Sequence, residues 1–582
     1  MRASDFNFRG LPLWGRVPAS VGSLLRDAPV VLAGLSMFYV LLASTHYWLA
    51  PPSPQVQIRL EPNALPGYAA LSVLRIFLAY LLSLLFTLVY GYVAAYNARA
   101  ERFMIPLLDT LQSIPVLSFL PGVMLAMVSL FPRQQLGIEL GSIVLIFTGQ
   151  VWNMTFSFYS SLKSIPEEMR EVARVYRWSW WQRFTEMELP FSAIGLVWNS
   201  MMSVAGGWFF LMACEMFVLG DRDLRLPGLG SYLQTAANAG DTRAILFGVG
   251  AMVGVIVLMD QLVWRPVIAW GEKFKFEQVE ASEAPRSPVL NFLRRSKLLN
   301  WVAAMIVLPV LEKVQLYFAR PRPPESHLAS AKGAEIWLRR AFLAVALGAI
   351  GFAAVKMVML VSGLRAAEAR SVFVGAGATF LRVELTLVLA ALWTVPVGVA
   401  IGLRPRLSAL AQPIAQVAAS VPATALFPII LLILIRVGHG LGVGSVVLLL
   451  IGTQWYILFN VIAGASALPT DLKEVCEVFH YGLVERWRKL ILPGIFPYLV
   501  TGLVTASGGA WNASIVAEYF HFRGQTFSTT GLGAVISAAT DAGNFRVLLA
   551  GTLLMAAIVV TINRLLWRRM YALAATRYKL EA

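Results

Sequence analysis

The chain has 582 residues, 58% of them hydrophobic and only 14% charged, with a mean hydropathy of +0.68. Soluble domains carry nearer a quarter charged residues, so a soluble multidomain enzyme is excluded. The net charge of +16, from 48 basic and 32 acidic residues, fits basic loops of a membrane protein as well as it fits nucleic acid. The two cysteines, Cys214 and Cys476, make no disulfide framework and no metal spacing.

Residues 1–28 are polar with scattered arginines and do not read as a cleavable signal. A spanning helix needs about 20 mostly apolar residues. Twelve stretches meet that need, at roughly 29–50, 71–96, 107–131, 139–161, 191–219, 244–265, 340–363, 379–403, 414–436, 443–465, 494–519 and 546–569. The third contains Pro115 and Pro121, the ninth Pro422 and Pro428. Between the sixth and seventh lies a basic linker, 271–339, whose apolar piece Trp301–Leu311 is too short to span and predicts an interfacial helix, with a short re-entrant hairpin as the alternative. Basic residues gather in the even-to-odd loops, in the linker and at both ends (Arg568, Arg569, Arg577 and Lys579 in the tail), which predicts both termini on the cytoplasmic side. The expected organisation is an N-terminal segment 1–28, six spans in 29–270, the linker, six spans in 340–570 and a tail 571–582. The +16 is then a matter of topology, with no nucleic-acid partner called for.

The two sets of six spans repeat one another. At an offset of 307, Leu74-Arg75 matches Leu381-Arg382, Gly91 matches Gly398, and Ser113 and Pro115 match Ser420 and Pro422. After a four-residue deletion the offset becomes 303. Glu171 then matches Glu474, Leu189-Pro190 matches Leu492-Pro493, Trp208 and Glu215 match Trp511 and Glu518, and Gly228-Leu229-Gly230 matches Gly531-Leu532-Gly533. Six spans per copy is an even number, so the copies are parallel and related by an axis along the membrane normal. Any route for a solute should follow that axis.

Each copy has one polar insertion between its fourth and fifth spans. The first begins at Pro166 and reads through Glu171, Ala173 and Arg177 to Phe184 and Leu189-Pro190; the second begins at Pro469 and reads through Glu474, Cys476 and His480 to Trp487 and Leu492-Pro493. A proline start, early acidic residues and Val172, Val175 and Tyr176 at helical spacing predict a short amphipathic helix in each.

This Glu-x-Ala…Phe…Leu-Pro pattern resembles the coupling motif of type I ABC importer permeases, closest to the nitrate/sulfonate/taurine type. Gln112-Ser-Ile-Pro115, Ala419-Ser-Val-Pro422 and Gly531-Leu-Gly533 carry the same resemblance. It implies an all-α integral membrane protein of about twelve helices in two fused permease halves, set in a bacterial inner membrane. The protein would be no enzyme itself: ATP and Mg would be held by two partner ATPase subunits, and an extracytoplasmic substrate-binding protein is expected beside the membrane lipid. By the same resemblance Glu171, Ala173, Arg177, Phe184, Leu189 and Pro190, with Glu474, Cys476, His480, Trp487, Leu492 and Pro493, are the ATPase-coupling positions. The family pattern has a glycine where Arg177 and His480 stand, and Gly482 offers an alternative turn two residues later. No GxxxxGK[ST] phosphate loop occurs, and the five histidines are dispersed, so no cofactor or metal site is expected in this chain.

Ionisable and amide groups inside spans are costly and call for a role. Glu215 and Glu518, with Trp208, Trp511, Asn199 and Asn512, are candidates to line the route; alternatively the two acids brace the Gly-Leu-Gly segments. The rival function is a twelve-span proton-coupled carrier in which Glu215, Glu384 or Glu518 titrates.

Overall fold

The computed structural model describes parts of residues 28–51 and residues 56–220, 222–274, 287–319, 331–437, 440–522 and 524–578. The N-terminal segment 1–27, the polar linker stretches 275–286 and 320–330, and Lys579 of the tail lie outside the described residues.

The first half runs through α1 (Leu65–Tyr96), α2 (Ala98–Ser113), α3 (Leu120–Leu130), α4 (Leu136–Lys163) and the short α5 (Glu167–Val175). It continues with α6 (Leu189–Glu215), a hairpin of β1 (Val218–Leu219) and β2 (Arg222–Asp223), α7 (Leu229–Ala239) and α8 (Thr242–Met259). The linker supplies α9 (Pro288–Arg295), α10 (Lys297–Val302) and α11 (Leu308–Ala319), and α12 (Ala331–Ser362) leads into the second half. There α13 (Ala366–Gly402), α14 (Pro405–Ser420), α15 (Ala423–Val437), α16 (Leu441–Ser466), α17 (Thr470–Val478) and α18 (Leu492–Ala517) repeat the order of α1 to α6. The hairpin β3 (Tyr519–Phe522) and β4 (Gln525–Ser528), then α19 (Leu532–Asp541), α20 (Phe545–Ile562) and α21 (Arg568–Arg577), complete it. The caps repeat as well: the Asp241 carboxylate accepts from Ala244 N at 3.0 Å to start α8, and the Asn544 amide oxygen accepts from Val547 N at 3.4 Å to start α20.

Among the described residues, eight helices are long and apolar enough to cross a membrane, nine if one bent pair counts as a span. The bent pair corrects the expectation of a continuous span over 107–131. Ala98–Gln112 and Val116–Leu130 meet at 85°. The cause is local: Pro115 bars the helical region for the residue before it, and Ile114 sits at φ −79°, ψ 126°. The expected span 414–436 breaks in the same way, between α14 and α15, where Val421 before Pro422 is extended. Only part of 29–50 is described, and 340–363 follows α12 to one residue past its end at Ser362.

The main apolar cluster is shared by both halves, with α1, α4 and α6 packed together in the first and α13, α16 and α18 in the second, and a smaller cluster lies in each half. Glycines permit the closest approaches. A Cβ on Gly91 would lie 2.7 Å from the Phe158 ring, and one on the matched Gly398 2.8 Å from Val461. Between the halves, Thr552 donates to the Ser118 carbonyl at 2.9 Å and Leu117 N donates to Asn512 Oδ1 at 3.4 Å.

The linker helix is longer than its apolar piece. It starts at Ser296, whose hydroxyl accepts from Leu299 N, and continues through a π turn at Ala303–Val307 to Ala319. It leaves Trp301, Met305, Leu308 and Leu316 exposed and packs against the one-turn helix Trp180–Arg183 of the first half.

Candidate functional site

The two predicted loops fold alike, each on the same end of its half. The short helices α5 and α17 both finish in a doubly hydrogen-bonded cap. Arg177 N donates to Arg174 O at 3.0 Å and Trp178 N to Ala173 O at 2.9 Å; His480 N and Tyr481 N repeat these bonds to Glu477 O and Cys476 O. Such a cap places its turning residue in the left-handed region, normally a glycine. Here Arg177 has φ 50° and His480 φ 49°. The backbone therefore keeps the turn at the positions the glycine would hold. Gly482 is extended (φ −64°, ψ 164°), so the turn is not moved two residues on.

Ala173 and Cys476 are buried beneath their helices, which explains the need for a small side chain there. Ala173 packs on Phe158, Leu162 and Met187, with Phe184 and Leu189 alongside. The opposite faces are open: Val175 is 78% and Val478 73% exposed, with Tyr176 and Phe479 similar, and Glu171 and Glu474 lie beside them in solvent.

A π turn joins each loop to its span, at Phe184–Glu188 and at Trp487–Ile491. In both, the amide after the turn (Leu189, Leu492) reaches back five residues to Phe184 O or Trp487 O. The proline that follows (Pro190, Pro493) has no N–H for the next ladder bond. A widened turn of this kind is a common feature of functional hinges.

The strain at the cap is testable. Arg177→Val places a β-branched side chain in the left-handed region, at an added cost of about 1 kcal/mol. Amide exchange at Arg177 and Trp178 should then rise about fivefold, and Arg177→Gly should slow it. Equal exchange in both variants would remove the strain from the account.

At the other end of the spans the structure places Glu215 and Glu518, both fully buried. Glu215 Oε1 accepts from Arg75 Nη1 at 2.8 Å and from the Ser72 hydroxyl at 2.6 Å, while Oε2 accepts from Gly230 N at 2.7 Å. Arg75 turns its other edge on Glu139, with both bonds at 2.7 Å. The second half copies the arrangement: Glu518 pairs with Arg382, accepts from Thr379 Oγ1 at 2.8 Å and from Gly533 N at 2.8 Å. Glu139 has no counterpart, its matched position being Gly442. Each carboxylate thus caps the N-terminus of the following short helix, α7 or α19, where the amides are free and the helix end is positive.

The buried acids therefore brace the Gly-Leu-Gly segments, and an arginine seals each. Trp208 and Trp511 are buried in the shared core. Asn199 donates to its own helix at Gly195 O, 2.9 Å away; Asn512 is the one of these candidates that bridges the halves. The arginines were missed by sequence reasoning, although a charged residue recurring inside two matched apolar runs was a usable signal.

Between the halves, on the face away from the loops, lies a cavity of about 770 Å³. Part of its lining falls at matched positions of the two halves, among them Met216 and Tyr519, Val218 and His521, and Asn238 and Asp541. Gln234 Nε2 donates to His521 O at 3.2 Å and Gly220 N to Thr540 O at 3.2 Å, tying the rim together. Asp223 and Arg225 form a two-bond pair at 2.9 and 2.7 Å on its wall. Burial alone would raise the Asp223 carboxyl, but the Arg225 guanidinium and the amides of Val56 and Arg225 hold it below the ordinary range.

The model of the binding-protein-dependent transport system inner membrane component matches residues 83–263 and again 394–578. The chain belongs to that family. This binding-protein-dependent transport component carries the family unit twice, and the two matched segments cover both loops, both π turns and α6 and α18. It is 29% identical over 162 residues to the nitrate import permease NrtB of Synechococcus elongatus, covering 28% of this chain and 54% of the relative. It is 30% identical over 141 residues to the bicarbonate transport permease CmpB of the same organism (24% and 49%) and 27% identical over 197 residues to the taurine transport permease TauC of Escherichia coli (33% and 68%). The chain spans about half the length of the first two relatives.

Proposed function

We propose that this chain is the permease of an ATP-binding-cassette importer, with two fused six-span halves that form one route for a small polar solute. The observation that carries the reading is the pair of loops. Both have the same cap, the same buried small residue and the same exposed apolar tip, and both are joined to a span through a π turn. In a family of binding-protein-dependent transport components, that pair is the natural seat for two ATPase subunits on the cytoplasmic face, with the binding protein meeting the opposite face.

On this reading closure of the ATPase pair pushes Val175, Tyr176, Val478 and Phe479. The push passes through Ala173 and Cys476 to the ends of α4 and α16, and through the π turns to α6 and α18. Those helices carry Glu215 and Glu518 at their far ends, so a tilt reaches the rim of the outer cavity. The proton-coupled alternative named Glu215, Glu384 or Glu518; Glu215 and Glu518 are sealed by arginines, and Glu384, whose Oε1 is buried with no hydrogen-bond partner among the described residues, stands where the first half has Phe77.

The test uses the full chain with its cognate ATPase. Val175→Asp together with Val478→Asp removes apolar contact worth about 1.5–3 kcal/mol per side chain and buries charge in its place. Co-purification should fall at least tenfold, and Glu171→Lys with Glu474→Lys should weaken it further. Undiminished association in both double variants would end the coupling assignment.

A further inference from the structure

The linker helices α9 to α11 lie between the two segments that match the family model, so they are an addition to the family unit. Their path begins and ends on one face. The helix end Arg265–Gly271 lies against the start of α6, where a Cβ on Gly271 would sit 3.6 Å from Val197. Beyond the linker, α12 runs away from the loops: Gly363, just past its last residue, accepts from Arg546 Nη1 at the start of α20, on the side of the Gly-Leu-Gly segments. A linker that leaves and returns on the loop face contains no single crossing. Yet α10 to α11 has the length for one, about 34 Å at 1.5 Å per residue. Its contacts agree with a surface path, since α9 packs on Arg265–Gly271 and α11 on Trp180–Arg183, both at the loop end.

The middle of this helix is open. Six successive residues, Leu308 to Lys313, are exposed, as are Trp301 and Met305 before them. An apolar surface of that extent marks an interaction site. Charge says what kind. Residues 286–322 hold seven lysines and arginines against one acid, Glu312. Arg294 and Arg295 are exposed in the last turn of α9. Exposed rings stand around them: Phe292 on the same helix, Trp270 on the helix end it packs against, and Trp301 in α10. Aromatic rings beside basic side chains, on a helix continuous with two spans, suit the headgroup layer of a bilayer.

We propose that α9 to α11 form a docking surface for anionic phospholipid. Trp301, Met305 and Leu308 enter the acyl boundary, and Arg294 and Arg295 take the headgroup phosphates. A basic segment beside a span is drawn to an anionic leaflet, and salt weakens the attraction because it falls off within a Debye length. The same helix touches Trp180–Arg183, so the bound leaflet tethers the first loop region. This inference goes beyond the importer reading and does not rest on it.

The experiment attaches a bimane fluorophore at Met305→Cys in the full chain, whose two native cysteines are buried. Val478→Cys, on the exposed tip of the second loop, is the water-facing reference. The protein is placed in nanodiscs of phosphatidylcholine, with or without phosphatidylglycerol, and quenching by acrylamide is read. With phosphatidylglycerol present, quenching at position 305 should be at least fivefold weaker than at position 478. Leaving out the anionic lipid, raising salt to 0.5 M, or Arg294→Gln with Arg295→Gln should each raise it about threefold. An unchanged thermal midpoint identifies a folded variant, and the lipid and salt arms leave the two arginines in place. Equal quenching at the two positions, or protection that is the same in both lipid mixtures, overturns the proposal. Protection that appears only when an ATPase is added overturns it too, by giving the face to a protein partner.

Discussion

Arg75→Met should destabilise the protein by about 3–5 kcal/mol, the range for removing one partner from a buried ionic cluster. Arg75 is 1% exposed and both acids on it, Glu139 and Glu215, are fully buried, so the variant strands two carboxylates where no water reaches. The measurement is the thermal unfolding midpoint of the purified chain, together with its level in the membrane. Adding Glu139→Gln and Glu215→Gln should recover most of the loss, because neutral amides can keep the bonds to Ser72 and Gly230 N without the charge. Arg382→Met should cost less: a single acid faces it, and its side chain is 11% exposed. A single Arg75 variant as stable as the parent would show that the cluster is neutral in the folded state.

Gly533→Ala is the second large effect. A Cβ there would lie 2.6 Å from the Ser514 carbonyl carbon and 2.8 Å from Ile515 Cα, and neither is a flexible side-chain end. The N-terminus of α19 would have to back away from α18, stretching the bond from Gly533 N to Glu518 Oε2, now 2.8 Å. Overpacking of this kind typically costs 1–3 kcal/mol, and the weakened cap adds to it. The midpoint should fall by several degrees. Gly442→Ala serves as the control, since its Cβ would meet only the Thr529 hydroxyl at 3.8 Å. Equal midpoints for the two variants would remove the close approach as the reason for the motif's second glycine.

Eight of the twelve expected spans, the twofold repeat and the loops were legible because each rests on local pattern: apolar run length, a constant offset, proline and acidic starts. The family pattern also marked the turning position, and the backbone honours it at Arg177 and His480 although neither is a glycine. Three features were not legible. Arg75 meets Glu139 and Glu215 across 64 and 140 residues, and no local signal encodes such a meeting. The 85° bend was implicit in Pro115, but hydropathy averaged over a window hides one extended residue. The cavity depends on which residues of two diverged copies face one another, and that becomes visible only once the axis is in place.

Among the described residues, the linker helix α10–α11 packs beside Trp180 of the first loop, while the matched Leu483 in the second half is 78% exposed. On the proposed reading, the two seats for ATPase subunits therefore differ in shape, although their backbones match. A pair of identical ATPase subunits would find one firm footing and one yielding footing, and its own symmetry would be broken on contact. Covalent fusion makes that inequality permanent. On the proposed importer reading, an assembled transporter would have a fixed left and right, and any order in which two ATPase subunits engage would be written into a single polypeptide.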